Sequence, residues 1–332
     1  MNPTIKDVAR EAGVSTATVS RVVNQDPRIS PTTRARVEAV IEQLHYKVNS
    51  VARSLKNKRT LTVGLVAPEI ANVFFMRVAE GVENRLTEEG YSMIVLNSRE
   101  SRHGEEQAVD LLLEKQVDGV IIIPSGQEGA HFHRLRAAQL PVVFVDRVVE
   151  GFEGDAVLVD NEEATLRAVE YLWSHGRRRF GFIGGDERIT TAAERYRGFR
   201  RALIQCGCPL EARNLRFGDF HTDSGYELFG ELIRQEDPPN TVIIANYFMQ
   251  IGALRFAATH RAELPEDLYL ASFDDSEFAA VAGIPGLSIA QPIDRIGRRA
   301  AQILLDRISG TDTTEFRIER LPTTLVFNGE GS

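Results

Sequence analysis

The sequence predicts a small all-α headpiece carrying a helix-turn-helix, followed by a two-lobed α/β core of two doubly wound parallel sheets. Three observations predict it. The 332 residues carry a formal charge of −8, yet residues 1–60 hold 11 Lys and Arg against 5 Asp and Glu, a balance of +6 that leaves −14 for the remainder. Helix-capping residues punctuate that basic head. From Leu61 onward, short apolar runs alternate with amphipathic stretches, the pattern of parallel strands covered by helices. With 43% hydrophobic and 26% charged residues the chain is a globular one, and its length calls for two or three domains of about 100–200 residues each. A basic head on an acidic body points to an appended nucleic-acid module.

In chain order, Thr4 precedes Ile5-Lys6-Asp7-Val8-Ala9-Arg10-Glu11-Ala12, so it caps a first helix, with Asp7 placed as in a capping box. Gly13 stops that helix. Ser15 opens Thr16-Ala17-Thr18-Val19-Ser20-Arg21-Val22-Val23, and Ser30-Pro31 opens a third helix with proline at its first position. Val8, Ala12, Val19, Val22, Val37, Val40, Ile41 and Leu44 supply a small core. The spacing Ala9, Gly13, Val19 carries the helix-turn-helix: a small residue lets two helices approach, glycine takes the tight turn, and valine pins the second helix on the first.

The core reads as strands at Leu61–Ala67, Ser92–Leu96, Gly119–Ile123, Val142–Val145 and Ala156–Val159, separated by helices near 74–89, 105–115 and 131–139. A helix over 162–175 crosses to a second series, with strands at Phe180–Gly184, Arg216–Gly218, Thr241–Ala245 and Leu268–Ser272. Its helices run near 193–206, 224–234, 250–260 and 293–308. The last carries Ile296, Ala300, Ile303, Leu304 and Ile308 at helical spacing and is read as core packing. The expected domains are a headpiece over 1–48, a hinge helix and linker over 49–60, and a core over 61–332. That core holds lobes of roughly 61–160, with a late crossover, and 161–290.

No apolar run reaches the 18 or so residues of a membrane span, and the N-terminus lacks a signal-peptide core, so a cytoplasmic protein with no membrane partner is expected. Cys206 and Cys208 offer too few ligands for a metal and too tight a spacing for an easy disulfide, and read as reduced bystanders. No metal or cofactor is expected. An enzyme is disfavoured: there is no Gly-x-Ser-x-Gly and no Walker A, and Gly181-Phe182-Ile183-Gly184-Gly185 lacks the dinucleotide spacing. Asp146 and Asp274 suggest an acid/base pair, but neighbouring arginines would hold both ionised. In His131-Phe132-His133 the two histidines face apart on a helix and read as a solvated face.

Nearly end to end, these residues resemble the LacI/GalR family of bacterial transcription regulators. The most specific stretches are Thr4-Ile5-Lys6-Asp7-Val8-Ala9-Arg10-Glu11-Ala12-Gly13-Val14-Ser15 with Thr18-Val19-Ser20-Arg21-Val22, and Val51-Ala52-Arg53-Ser54-Leu55. Val145-Asp146-Arg147, Val159-Asp160-Asn161, Gly198-Phe199, Phe273-Asp274-Asp275 and Gln291-Pro292 support them. The resemblance implies a core similar to periplasmic sugar-binding proteins and a homodimer on a pseudo-palindromic double-stranded operator.

The matching base-reading residues are Thr16, Ala17 and Arg21, where arginine pairs bidentately with guanine and the alanine methyl meets only a thymine methyl. Ser15, Thr18, Ser20, Arg34 and Lys56, the last in Lys56-Asn57-Lys58-Arg59, suit phosphate contacts, although Ser15 also reads as a plain helix cap. Residues 49–56 are too short for a stable isolated helix. The resemblance implies that such hinge helices pair across the dimer and enter the minor groove at Ala52 and Leu55, the leucine as a wedge. With no heptad tail after Leu321–Phe327, a dimer is expected rather than a tail-mediated tetramer.

Ligands of doubly wound sheets bind beyond the carboxyl ends of the strands. The residues there are Asn72, Phe74, Phe75, Asp146, Arg147, Arg195, Phe220, Asn246, Asp274 and Gln291, each matching a sugar-contacting position of the ribose-type binding proteins. Two carboxylates in one cleft disfavour an anion, so the expected effector is a neutral, ribose-like monosaccharide that releases a repressor from DNA. A corepressor, a protein cofactor, or a sugar receptor without a DNA role are the alternative readings. Where the family usually has Asn-Asp, this chain has Asn246-Tyr247, which bears on specificity.

Overall fold

The structure is a computed structural model and describes residues 3–23, 25–46, 59–274, 283–311 and 315–328. It divides into two compact units, Met1–Leu61 and Thr62–Ser332. The predicted hinge, with Ala52, Leu55 and Lys56, lies outside the described residues.

In the first unit, α1 (Ile5–Glu11), α2 (Thr16–Val23) and α3 (Pro31–Gln43) surround a core of Val8, Ala9, Ala12, Val19, Val22, Val37 and Val40. Ile41 and Leu44 are only partly buried and form its rim. The Asp7 carboxylate accepts from the Thr4 backbone N–H at 2.9 Å and from the Thr4 hydroxyl at 2.7 Å, fixing the first turn of α1. Gly13 sits at φ +63°, a left-handed conformation that an L side chain adopts only under strain, and so turns the chain between α1 and α2. The Ser30 hydroxyl accepts from the Thr33 N–H at 3.3 Å at the start of α3.

The second unit holds two six-stranded sheets. Strands β1 (Thr62–Ala67), β2 (Ser92–Asn97), β3 (Gly119–Ile122), β4 (Val142–Val145), β5 (Asp155–Val159) and β11 (Ile318–Leu321) form a wholly parallel sheet in the order β11-β5-β4-β3-β1-β2. Strands β6 (Phe180–Gly184), β7 (Leu215–Phe217), β8 (Thr241–Ile244), β9 (Tyr269–Phe273), β10 (Gly286–Ala290) and β12 (Thr324–Asn328) form the other, in the order β12-β10-β9-β8-β6-β7. There only β12 runs antiparallel to its neighbour. The covering helices are α4 (Val73–Glu88), α5 (Arg102–Glu114), α6 (His133–Ala137), α7 (Asn161–Ser174), α8 (Thr190–Gln205), α9 (Thr222–Ile233), α10 (Tyr247–Thr259) and α11 (Ile293–Ser309).

Three segments join the lobes: β5 to α7, β10 to α11, and β11 to β12. The apolar run Leu321–Phe327 is thus two strands in different sheets, separated at Pro322-Thr323. Helix α11 returns to the first lobe and packs on α4, with Ile296, Ala300, Ile303 and Leu304 buried. The helices meet at Gly81 and Gly297, where a Cβ on Gly297 would stand 2.2 Å from the Val78 carbonyl oxygen.

One expectation is corrected. His131 is buried, and its Nε2 lies 2.8 Å from Glu105 Oε2, because the chain turns through a 3-10 segment (Ala130–Phe132) that aims the ring inward against Phe132. Glu105 Oε1 also accepts from the Ser125 N–H at 2.6 Å, so the pair fastens the loop after β3. Among the described residues, no helix is long and apolar enough to cross a membrane, and no group of three or more His, Cys, Asp or Glu is placed to hold a metal ion.

Candidate functional site

The first site is the exposed side of α2. Val19 and Val22 turn into the headpiece core, which leaves Thr16, Ala17 and Arg21 exposed on the opposite side, one helical turn apart. That small, convex surface with a long cation at its end suits entry into a major groove. Among the expected phosphate contacts, the Ser15 hydroxyl accepts from the Thr18 N–H at 3.1 Å and lies 2.9 Å from the Thr18 hydroxyl. Ser15 is therefore a helix cap first, as a short helix with free N–H groups demands. Arg34 donates from Nη2 to the Asp26 carbonyl at 2.8 Å, tying α3 to the turn after α2, and Ser20 is half-buried. Asp26 also meets Arg28, which holds its carboxyl well below the usual range.

The second site is the cleft between the two sheets of the core. All ten residues expected there line one cavity. Strand ends explain the convergence. Asp146 directly follows β4, Asp274 follows β9 and Gln291 follows β10. Asn246 ends the β8 exit and caps α10 by accepting from the Met249 N–H at 3.0 Å, while its Nδ2 donates to the Phe220 carbonyl at 2.9 Å. Asn72 caps α4 by accepting from the Phe74 N–H at 2.9 Å, which turns Phe74 and Phe75 inward. Asp146, Phe220 and Asp274 hold φ angles of 66°, 71° and 69°, left-handed conformations that cost about 1–3 kcal/mol each and cluster at functional sites. Gly185 makes room for one of them, since a Cβ there would stand 2.1 Å from the Phe220 ring.

Protein partners hold the polar groups of the cleft. Arg195, 4% exposed, donates from Nε to Asn161 Oδ1 at 2.8 Å and from Nη1 to the Ala245 carbonyl, with its guanidinium carbon 3.8 Å from the Phe273 ring centre. Arg147 donates to Asp146 at 3.1 Å and to the Pro124 carbonyl at 3.1 Å, with Phe75 beneath it at 5.8 Å. Gln291 donates to Asp274 at 2.7 Å. Burial draws the Arg195 pKa down, opposed by Asp146 and Asp274. Burial likewise pushes the Asp274 carboxyl up, and that outweighs the attraction of Arg195 and the Gln291 amide. Desolvation is thus the dominant influence on Asp274, while Arg195 is also committed to Asn161 and Ala245.

Four further residues line the cavity: Glu100, Thr191, Tyr247 and Phe248. Tyr247 was legible as a departure from the usual Asn-Asp. Glu100 was not, because it lies in a charged stretch, Asn97-Ser98-Arg99-Glu100-Ser101, that reads as surface; Arg99 and Glu100 sit at φ 53° and 51°, which turns the loop back over the cleft. Thr191 and Phe248 lie in the first turns of α8 and α10 and carry no distinguishing pattern.

Comparison with known proteins bears on both sites. Residues 4–49 match the bacterial regulatory proteins of the lacI family, and residues 169–329 match a periplasmic binding protein-like domain. The chain is 34% identical over 328 residues to catabolite control protein A of Priestia megaterium, covering 98% of both chains. It is 31% identical over 307 residues to the HTH-type transcriptional repressor CytR of Escherichia coli strain K12, covering 92% of this chain and 90% of that one. The crystal structure of the lac repressor dimer bound to operator and the anti-inducer ONPF superposes with a TM-score of 0.85 at 26% identity, covering 98% of each chain.

Proposed function

The chain belongs to the LacI family of bacterial regulatory proteins, and from that premise we propose that its interlobe cleft binds a neutral, ribose-like monosaccharide whose arrival loosens its hold on operator DNA. Membership makes it a DNA-binding transcriptional regulator of the repressor type, with a helix-turn-helix headpiece and a dimer as its working form. Its relatives are transcriptional regulators, and we read this chain likewise as a regulator rather than an enzyme. We place its action in the cytoplasm, where operator DNA is.

The observation that carries the effector reading is the convergence of Asp146, Arg195, Asp274 and Gln291, drawn from both lobes, on one cavity walled by Phe74, Phe75 and Phe220. Carboxylate and amide oxygens accept from sugar hydroxyls, guanidinium groups donate to them, and aromatic faces cover the C–H side of the ring. Two carboxylates disfavour a phosphate. In the headpiece, Thr16, Ala17 and Arg21 read bases; Ser15, Thr18, Ser20, Arg34 and Lys56 meet phosphates; Ala52 and Leu55 serve the minor groove. The proposed division is a headpiece over 1–48, a hinge over 49–60 and a core over 61–332.

A ligand that bridges the lobes favours one arrangement of them, and coupling of about 1–3 kcal/mol between the two sites is reciprocal. Titration of a labelled operator with protein tests it, with and without neutral sugars. Weakened binding with one sugar supports an inducer. Strengthened binding turns the reading to a corepressor, and indifference to every sugar defeats it.

A further inference from the structure

We propose that Glu105, buried outside the lining of the cleft, positions Arg147 for the effector by gripping the opposite edge of a peptide unit that Arg147 also holds. This rests on the cleft being the sugar site. The unit is the bond between Pro124 and Ser125, just beyond β3. Its N–H donates to Glu105 Oε1 at 2.6 Å, and its carbonyl oxygen accepts from Arg147 Nη1 at 3.1 Å. A peptide is planar, and every one among the described residues is trans, so the two groups point in opposite directions from one rigid plate. Turning the plate to improve one contact spoils the other.

The surroundings are built to hold that plate. Glu105, 2% exposed, stands in the first turn of α5, and this turn reaches the loop because residue 104 is glycine: a Cβ there would collide with the Ser98 carbonyl oxygen. The Ser101 hydroxyl caps the same turn, accepting from the Gly104 N–H at 3.0 Å and donating to the Ser98 carbonyl at 2.9 Å. From the other side, Ser125 Oγ lies 2.7 Å from Ser98 Oγ, which is itself tied to the Ala67 carbonyl at the end of β1.

His131 sets the direction of the carboxylate. Its Nε2 takes the second oxygen, Oε2, at 2.8 Å, which leaves Oε1 aimed at the peptide. The other ring nitrogen, Nδ1, is buried with no hydrogen-bond partner among the described residues, so the polar contact of the ring serves Glu105. The electrostatics run in the same sense. A carboxylate bonded to a peptide N–H polarises that peptide, and its carbonyl becomes a stronger acceptor for a guanidinium. Without Glu105 the plate is free to turn, and Arg147, which lines the cavity, keeps Asp146 as its remaining hydrogen-bond partner.

The test is calorimetric titration of the full-length protein with D-ribose, D-xylose, D-glucose and D-galactose, then of its variants with the sugar that the parent binds. Glu105→Ala is expected to weaken that sugar about tenfold. Glu105→Gln, whose amide oxygen still accepts from Ser125 and whose nitrogen meets His131, is expected to stay within about threefold of the parent. In an Arg147→Ala background, Glu105→Ala is expected to cost less than about twofold, because the side chain it positions is gone. Arg147→Lys serves as the background if Arg147→Ala abolishes detectable binding. A loop clamp without this role would act equally in both backgrounds. If a thermal melt shows that Glu105→Ala does not fold, the paired change Glu105→Met with His131→Leu exchanges both buried polar groups for apolar side chains of similar size and carries the same comparison. Parent affinity in the variant, or an equal loss with and without the Arg147 change, leaves Glu105 a fastener of the loop and no more, while the cleft remains a sugar site. If the parent binds none of these sugars, the cleft reading falls and the role of Glu105 falls with it.

Discussion

Gln291 donates from Nε2 to Asp274 Oδ1 at 2.7 Å and leaves its own Oε1 buried with no hydrogen-bond partner among the described residues. The contact joins the exits of β9 and β10, and both residues line the cleft. A buried acceptor without a donor costs about 1–3 kcal/mol, which a ligand hydroxyl would recover. Gln291→Leu removes that unmet acceptor together with the donor to Asp274. We expect sugar affinity to fall about tenfold or more, equivalent to about 1.4 kcal/mol, with the melting temperature of the sugar-free protein nearly unchanged. Calorimetry and a thermal melt on one preparation check this, and unchanged affinity refutes it.

Asp274 links stability to function through pH. Burial raises its carboxyl above the usual value of 3.8. An acid with a raised folded pKa holds its proton more tightly folded than unfolded, so its contribution to stability is complete below the unfolded pKa and is lost as pH rises through the folded one. Asp274→Asn abolishes that titration. Its melting temperature is expected to match the parent near pH 4 and to exceed it by a margin that grows toward pH 7, while sugar affinity drops at least tenfold through loss of a charged acceptor. A variant less stable than the parent at pH 7 contradicts the argument.

A different buried carboxylate holds the fold. Asp155, 2% exposed, accepts from Arg307 Nε and Nη2 at 2.8 Å each and from the Arg317 N–H at 2.9 Å, so one side chain fastens β5, α11 and the approach to β11. Removing one partner of a buried pair leaves the other charge uncompensated, at a cost of about 3–5 kcal/mol. Asp155→Ala is expected to lose that much in urea unfolding. The double variant with Arg307→Met is expected to lose less than the sum of the two single changes.

How much of this was legible in the sequence depended on range. Strands β1 to β6, β8 and β9 announced themselves as local apolar runs, within a residue or two of the observed bounds. Strands β10, β11 and β12 did not. β11 reads Ile-Glu-Arg-Leu with two charges and an exposed Ile318, and becomes a strand by pairing with β5 about 160 residues earlier. Pocket residues that directly follow a strand were legible from that rule together with the family resemblance. Glu100 was missed because two successive left-handed residues, not a strand end, bring it to the cleft. His131 was misjudged because helical spacing does not apply in the 3-10 turn that buries it.

The headpiece yields the last prediction, and it follows from where the charge lies. Residues 1–60 carry +6 and the remainder −14, and the two fold as separate compact units. The slope of operator affinity against salt counts the phosphates neutralised by cations, so it belongs to the first unit. Arg21, exposed on the reading side of α2, differs in kind from the phosphate-facing residues. Arg21→Ala is expected to cost about 1–3 kcal/mol at one base pair of each half-site and to flatten discrimination there. Arg34→Ala is expected to weaken binding to all sequences alike and to lower the salt slope. Deleting residues 1–59 should abolish operator binding while sugar affinity stays intact and nearly indifferent to salt. Binding assays across sequence variants at several salt concentrations separate these outcomes. An Arg21 variant that weakens every sequence equally would move that residue from reading bases to holding phosphate.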